Sequence, residues 1–244
     1  MGSHGGGSAE GQEKVLTSYG YTEGTMGVPV KSSLDVVELA RIDPDIPVYC
    51  DKHAFGADYM IMCNRVKPHT DFRAVHESGL IKMLAIGMSK HAGATALHFH
   101  GMGKFDDLLP RAAEAFLANT KTLFGVAVVE NAEEDVRHLE FVAPKDFFVR
   151  DAAMLADAKA SIPRLLFEGI DVLLVDEIGK NISGAGMDPN VTGRTTSGEG
   201  GFDDGPPISR IVIRDLTDVT EGNATGLGMG DVITQRAVRK IDWT

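Results

Sequence analysis

Residues 64–100 concentrate the side chains that could carry chemistry. This stretch holds five of the eight histidines and five lysines and arginines, against only two acidic residues. Neutral imidazole is a general base near physiological pH and a common metal ligand. Much of the stretch is also apolar enough to be partly buried. We therefore expect a site for proton transfer or metal binding here, rather than a basic loop followed by a core helix.

The candidate residues lie at predicted strand ends and in glycine-rich turns. They are His4, His69, Arg73, Lys82, His98, His100 and Lys180. A lysine whose charge is disfavoured can form covalent adducts, and a guanidinium is a planar fork for a carboxylate. Together these groups indicate a site for a small hydroxy or keto acid.

The predicted elements place several of these side chains. The run at 57–66 predicts a buried strand, and Pro68 ends it, so His69 follows the carboxyl end of a strand, where open α/β sheets bind ligands. Residues 78–88 predict a helix with Lys82 in its first turn, where the helix dipole disfavours a positive charge. His98 and His100 would share one face of a strand as a metal pair. The lack of clear carboxylate or thiolate partners nearby argues against zinc.

The alternation of strands and helices predicts an α/β fold of two domains, with mainly parallel, Rossmann-like sheets flanked by helices. The predicted domains are residues 1–165 and 166–244. Further helices are expected at 10–19, 106–119, 144–160 and 230–241, strands at 47–50, 122–130, 136–142, 170–176 and 208–215, and short elements at 28–30 and 36–42.

Composition excludes several classes of protein. The formal charge of −11 argues against binding to nucleic acid or to anionic membranes. We find neither an apolar run long enough to span a membrane nor a signal peptide. The two cysteines form no disulfide framework, which favours a reducing, cytoplasmic location. Residues 1–11 are interpreted as a native loop, with a tag remnant as the alternative, and Ser8 is expected to cap the helix that follows.

Two motifs resemble a known family. KPHTDFR at 67–73, followed by ESGLIKM at 77–83, and VDEIGKNISGAGMDPNVTGR at 175–194 resemble a less-studied branch of the nickel-dependent lactate racemase superfamily. The resemblance runs over almost the whole chain. It implies racemisation or epimerisation of a small 2-hydroxy acid, through removal and return of hydride. The implied cofactor is the nickel pincer nucleotide, pyridinium-3,5-bisthiocarboxylic acid mononucleotide nickel.

The resemblance also implies a role for each matching residue. Lys82 would carry the cofactor covalently, and His98, sixteen residues later, would complete the nickel coordination. His69 and His4 would act as bases on opposite faces of the substrate. Lys180 and Arg73 would hold its oxygens. Leu80 stands where the family usually has a glycine, which is a departure from the attachment motif.

The same resemblance sets expectations about partners. They are a small hydroxy acid, bound in a cleft between the domains, and the proteins that make the cofactor. The chain begins at the Gly-x-His loop, without the strand that precedes it in the family, and is expected to stop within the second domain. A sheet edge left open in this way predicts a partner or a homo-oligomer.

Other interpretations remain. The same scaffold could support a nickel-free lyase or isomerase, or a non-catalytic module that binds a carboxylate. Taken singly, Lys82 could be an ordinary lysine at a helix start, His98 a semi-buried histidine, and Lys180 an exposed loop residue. Arg73 could pair with an acidic neighbour such as Glu77.

Overall fold

A computed structural model describes residues 5–196 and 201–243. The chain divides into two compact units: residues 1–67 with 74–161, and residues 68–73 with 162–244. The division follows Ser161, close to the boundary expected near residue 165. No pattern in the sequence predicted that residues 68–73 would belong to the second unit.

The first unit contains two sheets and most of the helices. Its helices are α1 (Ala9–Ser18), α2 (Glu23–Met26), α3 (Lys52–Phe55), α4 (Leu80–Lys82), a π-helix (Met83–Gly87), α5 (Lys90–His98), α6 (Phe105–Ala118) and α7 (Phe147–Ser161). Its strands are β1 (Val36–Asp43), β2 (Ile46–Asp51), β3 (Met60–Arg65), β4 (Thr122–Glu130) and β5 (Val136–Val142). As expected, the side chain of Ser8 caps α1 by accepting a hydrogen bond from the Gly11 N–H, at 3.0 Å.

The two sheets of this unit differ in strand direction. Strands β1 and β2 form an antiparallel pair. In the other sheet the order is β3-β4-β5, with β3 parallel and β5 antiparallel to the central β4. Helices α4, α5 and α6 lie in the connection between the two parallel strands, which is the arrangement expected of an α/β fold.

The core of the first unit is built around α6, which packs on β1, β2 and the π-helix, and around β4, which α7 contacts. Helix α6 buries residues spaced three or four apart, including Phe105, Leu109 and Phe116, because that spacing places them on one side of a helix. At Gly125 in β4, an added Cβ would lie 2.9 Å from the Leu80 side chain and 3.0 Å from that of Phe147. Helices α4 and α7 therefore both approach β4 closely, and a glycine makes room for them.

The second unit is built on one parallel sheet. Strands β6 (Ile170–Val175), β7 (Ile208–Ile213) and β8 (Val232–Ile233) follow one another across it, and the helices are α8 (Pro189–Thr192) and α9 (Gln235–Lys240). The buried cluster beside the sheet includes Ile178, Ile211, Ile213 and Leu216. The α/β class expected from the sequence is thus confirmed, with both parallel and antiparallel pairings.

Several predicted elements were wrong in detail. Residues 28–30 form neither helix nor strand, and residues 230–241 contain β8 before the short helix α9. Strands β3 and β6 were expected to be buried on both faces. Instead Ile61, Val172 and Leu174 are more than half exposed, because one face of each sheet meets solvent in the described chain.

No helix in residues 5–196 and 201–243 is both long and apolar enough to cross a lipid bilayer.

The packing of α6 predicts a large loss of stability on truncating its core. Phe116→Ala removes a ring that is 0% exposed, and should lower the free energy of unfolding of the first unit by about 3–5 kcal/mol. Phe99→Ala is the matched control, because that ring is 86% exposed and its loss should change stability by less than about 0.5 kcal/mol. Urea denaturation measures both. Equal losses would contradict this description of the core.

Candidate functional site

Lys82 lies where two kinds of helix meet. It is the last residue of α4, and the π-helix begins at Met83. Helix α4 starts at Leu80, so Lys82 falls within its first turn, as the sequence predicted. Single π-helical turns inside helices occur frequently at functional sites. The side chain is half-buried.

The turn before Lys82 is held by buried polar groups. The Asp151 carboxylate accepts a hydrogen bond from the Leu80 N–H through Oδ1, at 2.6 Å, and its Oδ2 lies 3.0 Å from Nδ1 of His76. On the other side, the amide of Asn64 donates to the Gly79 carbonyl at 2.6 Å. A Cβ on Gly79 would lie 2.0 Å from Asp151 Oδ1, so the position requires glycine.

His98 has the hydrogen bonding expected of a metal ligand. The ring lies at the end of α5, edge-on to Phe105, with Nδ1 2.6 Å from the Ala94 carbonyl oxygen. Because a carbonyl only accepts, Nδ1 carries the proton, and Nε2 of the neutral ring keeps its lone pair. Ligating histidines commonly donate their other N–H to a backbone carbonyl in this way. The residue is exposed.

The expected strand pair of His98 and His100 was wrong. His98 ends a helix, and His100 lies in the turn after it, so the two imidazoles do not share a strand face. Nε2 of His100 lies 4.0 Å from a carboxylate oxygen of Asp45. Among the described residues, no group of three or more His, Cys, Asp or Glu side chains is arranged to hold a metal ion.

His69 belongs to the second unit, in the segment 68–73. Its Nδ1 accepts a hydrogen bond from the Asp71 N–H at 3.1 Å, and its ring centroid lies 4.3 Å from that of Phe72. The neutral ring therefore carries its proton on Nε2. The Asp71 carboxylate lies 3.9 Å from Nδ1, which is beyond hydrogen-bond distance.

Arg73 holds a loop of its own unit. Its Nε donates to the Gly201 carbonyl at 2.7 Å and its Nη1 to the Asn190 side chain at 2.5 Å. The guanidinium also lies over the Phe202 ring, 4.0 Å from its centroid. A substrate carboxylate at Arg73 would have to share the Nε–H and Nη1–H donors with these partners. The role of Arg73 in binding substrate therefore stays a prediction. Glu77, the suggested alternative partner, accepts a hydrogen bond from Lys159 at 2.6 Å.

Lys180 is exposed, in a loop held by its backbone. The Lys180 N–H donates to the Thr220 hydroxyl at 3.2 Å. This bond holds the main chain and not the side chain.

The candidate residues do not all fall in one unit, and His4 lies outside the described residues. Lys82 and His98 belong to the first unit, and His69, Arg73 and Lys180 to the second. Their meeting in one cleft stays a prediction.

Buried polar groups form a set that the sequence reasoning missed. His76, Glu77, Lys90 and Asp151 are all at most 7% exposed. A signal existed for Asp151, which follows the buried Phe147 by four residues and precedes Leu155 by four. An acid at such a core position of a helix must have partners. His76 has no comparable signal, because nothing in its local pattern predicts burial.

The two cysteines differ sharply in environment. Cys50 is 0% exposed, whereas Cys63 is exposed on β3. Burial, and secondarily the charge of Asp51, raises the pKa of the Cys50 thiol from 9.0 to about 12. Since the thiolate is the nucleophilic form, Cys50 is an inert core residue.

Comparisons with known proteins give no functional assignment. No protein-family model and no curated protein matches the chain. A solved structure from Thermotoga maritima, a structural genomics target, is similar with a TM-score of 0.45 and 14% identity over 74% of this chain. The chain spans 47% of that protein. This level of similarity assigns no activity.

The Asp151 contacts predict a specific defect. Asp151→Ala leaves the buried Leu80 N–H and His76 without this partner, and should lower the free energy of unfolding by about 3 kcal/mol. Asp157→Ala, a half-buried position on the same helix, is the control and should stay close to wild type. Hydrogen exchange at the Leu80 amide provides the second measurement. Unchanged protection of that amide in Asp151→Ala would refute the assigned contact.

The cysteine environments predict selective labelling. A thiol reagent at about pH 8 should modify Cys63 rapidly and Cys50 only after unfolding. Cys63→Ser should abolish the rapid phase. Because the pKa of Cys50 is raised on folding, its contribution to stability is complete below pH 9.0 and is lost as the pH rises toward about 12. Labelling of two thiols in the folded protein would contradict the burial of Cys50.

Proposed function

We propose that the chain is the scaffold of a racemase or epimerase for a small 2-hydroxy acid that uses a nickel pincer nucleotide tethered to Lys82. The proposal starts from the sequence resemblance. The structural observation that supports it is the hydrogen bond from His98 Nδ1 to the Ala94 carbonyl. That bond leaves Nε2, on an exposed ring, as a nitrogen donor for a metal.

The metal-binding side chains of the described chain suit a metal that is already bound by an organic cofactor. No cluster of three His, Cys, Asp or Glu side chains is present there to hold a bare ion, so His98 would supply one donor to an already coordinated metal. A lysine amine can form a covalent adduct in its uncharged, nucleophilic form, so Lys82 would be the tether. Hydrogen bonds from the Leu80 N–H to Asp151 and from Asn64 to the Gly79 carbonyl fix the backbone just before Lys82.

When bound, the cofactor would supply an acceptor for hydride. The remaining work falls to side chains of this protein. His69 would take the hydroxyl proton of the substrate, and His4 would do so on the opposite face. To accept a proton at Nε2, His69 must carry its own proton on Nδ1. This tautomer would require the ring to give up the hydrogen bond that Nδ1 accepts from the Asp71 N–H.

Two further cations would orient the substrate. Lys180 is exposed and would bind a substrate oxygen as a flexible point charge. Arg73 would attract the carboxylate with its positive charge while keeping its contacts to the Gly201 carbonyl and Asn190. Uptake of the hydroxyl proton on either face would allow both configurations of the carbon to be reached from one planar keto acid.

Attachment and metal binding can be tested separately. Co-expression with the enzymes that make the cofactor should give an intact mass increased by one cofactor, with the modified peptide containing Lys82 and one nickel per chain. Lys82→Arg keeps the positive charge but should abolish the mass increase. His98→Ala should keep the modification and lose most of the nickel, whereas His91→Ala, another exposed histidine of α5, should keep both.

The outcomes discriminate between the interpretations. An unmodified Lys82 and a nickel-free protein would defeat the proposal. Turnover of a hydroxy acid by such a protein would favour a nickel-free lyase or isomerase. Carboxylate binding without turnover would favour a non-catalytic module.

A further inference from the structure

A polar cavity lies in the first unit, and neither Lys82 nor His98 lines it. Its volume is about 210 Å³, below the roughly 300–1,000 Å³ of sites for drug-sized ligands. It is lined by Gln12, Leu16, Lys31, Ser32, Asp51, Gly87, Met88 and Lys90. A few convergent polar groups beside apolar walls are typical of small-molecule sites.

Lys90 is the central charged group of this cavity. Its side chain is 9% exposed, and Nζ lies 2.8 Å from Oε1 of Gln12 and 3.4 Å from a carboxylate oxygen of Asp51. The other oxygen of Asp51 accepts the Ala54 N–H at the start of α3, at 2.9 Å. A direct ammonium–carboxylate bond is typically about 2.7–2.9 Å. The hydrogen-bond partner of Nζ is therefore a neutral amide, and Asp51 forms a longer ion pair with it.

The backbone of Lys90 is strained. Its φ is +53°, a left-handed conformation that residues with a side chain rarely adopt. Glycine or asparagine would occupy the position more easily. The strained backbone places the ammonium of Lys90 at the cavity, where it can bind a ligand. Such outliers concentrate at ligand sites.

The charges around the cavity select the ligand. Lys31 and Lys90 outweigh Asp51 by one positive charge, in a chain whose formal charge is −11. A small monoanion fits that balance better than a dianion does. We propose that this cavity binds a small monocarboxylate, with the carboxylate on Nζ of Lys90 and its apolar part against Leu16 and Met88.

This site is independent of the nickel cofactor. It requires neither a modified Lys82 nor His98, and its ligand can be tested on the unmodified protein. The two proposals can therefore fail independently. Absence of cofactor attachment would not contradict carboxylate binding, and absence of carboxylate binding would not contradict cofactor attachment.

The test is an NMR titration of the full chain with Lys82 unmodified. Sodium acetate, sodium L-lactate and sodium phosphate are added separately, in a buffer free of carboxylates, at constant ionic strength. Acetate or lactate should shift the amide signals of Gly87, Met88 and Lys90 in a saturable manner. Lys90→Met, which keeps the side-chain stem but removes the charge, should weaken binding at least tenfold.

Two further variants keep the result interpretable. Lys14→Met removes an exposed lysine of α1 that does not line the cavity, and should bind as wild type does. If Lys90→Met fails to fold, Lys31→Met decides, because Lys31 is exposed and its loss should weaken binding at least threefold. Three results would overturn the proposal: shifts that do not saturate, binding of phosphate alone, or unchanged affinity in Lys90→Met. If Lys90→Met does not fold, unchanged affinity in Lys31→Met would do so instead.

Discussion

The buried carboxylate of Asp151 fixes the turn from which Lys82 emerges. An ionised side chain at 1% exposure is tolerated only if hydrogen bonds replace the water that it has lost. Here the Leu80 N–H and the His76 ring supply them. The arrangement joins three separate parts of the sequence: the segment after β3, the start of α4, and the middle of α7. The backbone at Lys82 is therefore set by tertiary contacts, since three residues of α4 are too few to form a stable helix alone.

The sequence predicted the elements whose periodicity is strong and whose burial is one-sided. Helix α6 and strands β4 and β5 fall within a residue of the expected bounds, because their apolar positions repeat with helical or strand spacing. Strands β3 and β6 were placed correctly but described as buried. A continuous apolar run does not reveal whether a second layer covers the sheet, and Val172 and Leu174 show that one face is open.

The candidate site was less predictable, because side-chain chemistry depends on neighbours distant in sequence. The location of Lys82 in a first helical turn followed from local pattern. The proton position on His98 follows from the Ala94 carbonyl, which became an expected partner only once the segment was known to be a helix. The contacts of Arg73 with Asn190, Gly201 and Phe202 join parts of the chain more than a hundred residues apart. No pattern within residues 67–73 predicts them.

Lys82 and Lys90 occupy similar places, each near the start of a helix, yet their surroundings suit different chemistry. Lys90 lines a cavity that also carries Lys31 and only one carboxylate, Asp51, and this excess of positive charge suits the electrostatic binding of an anion. Lys82 lies in the short helix α4, whose first N–H is held by Asp151, so the backbone is fixed at the residue that would be attached to the cofactor. Position near a helix start is common to the two lysines, and the contacts of the surrounding chain distinguish them.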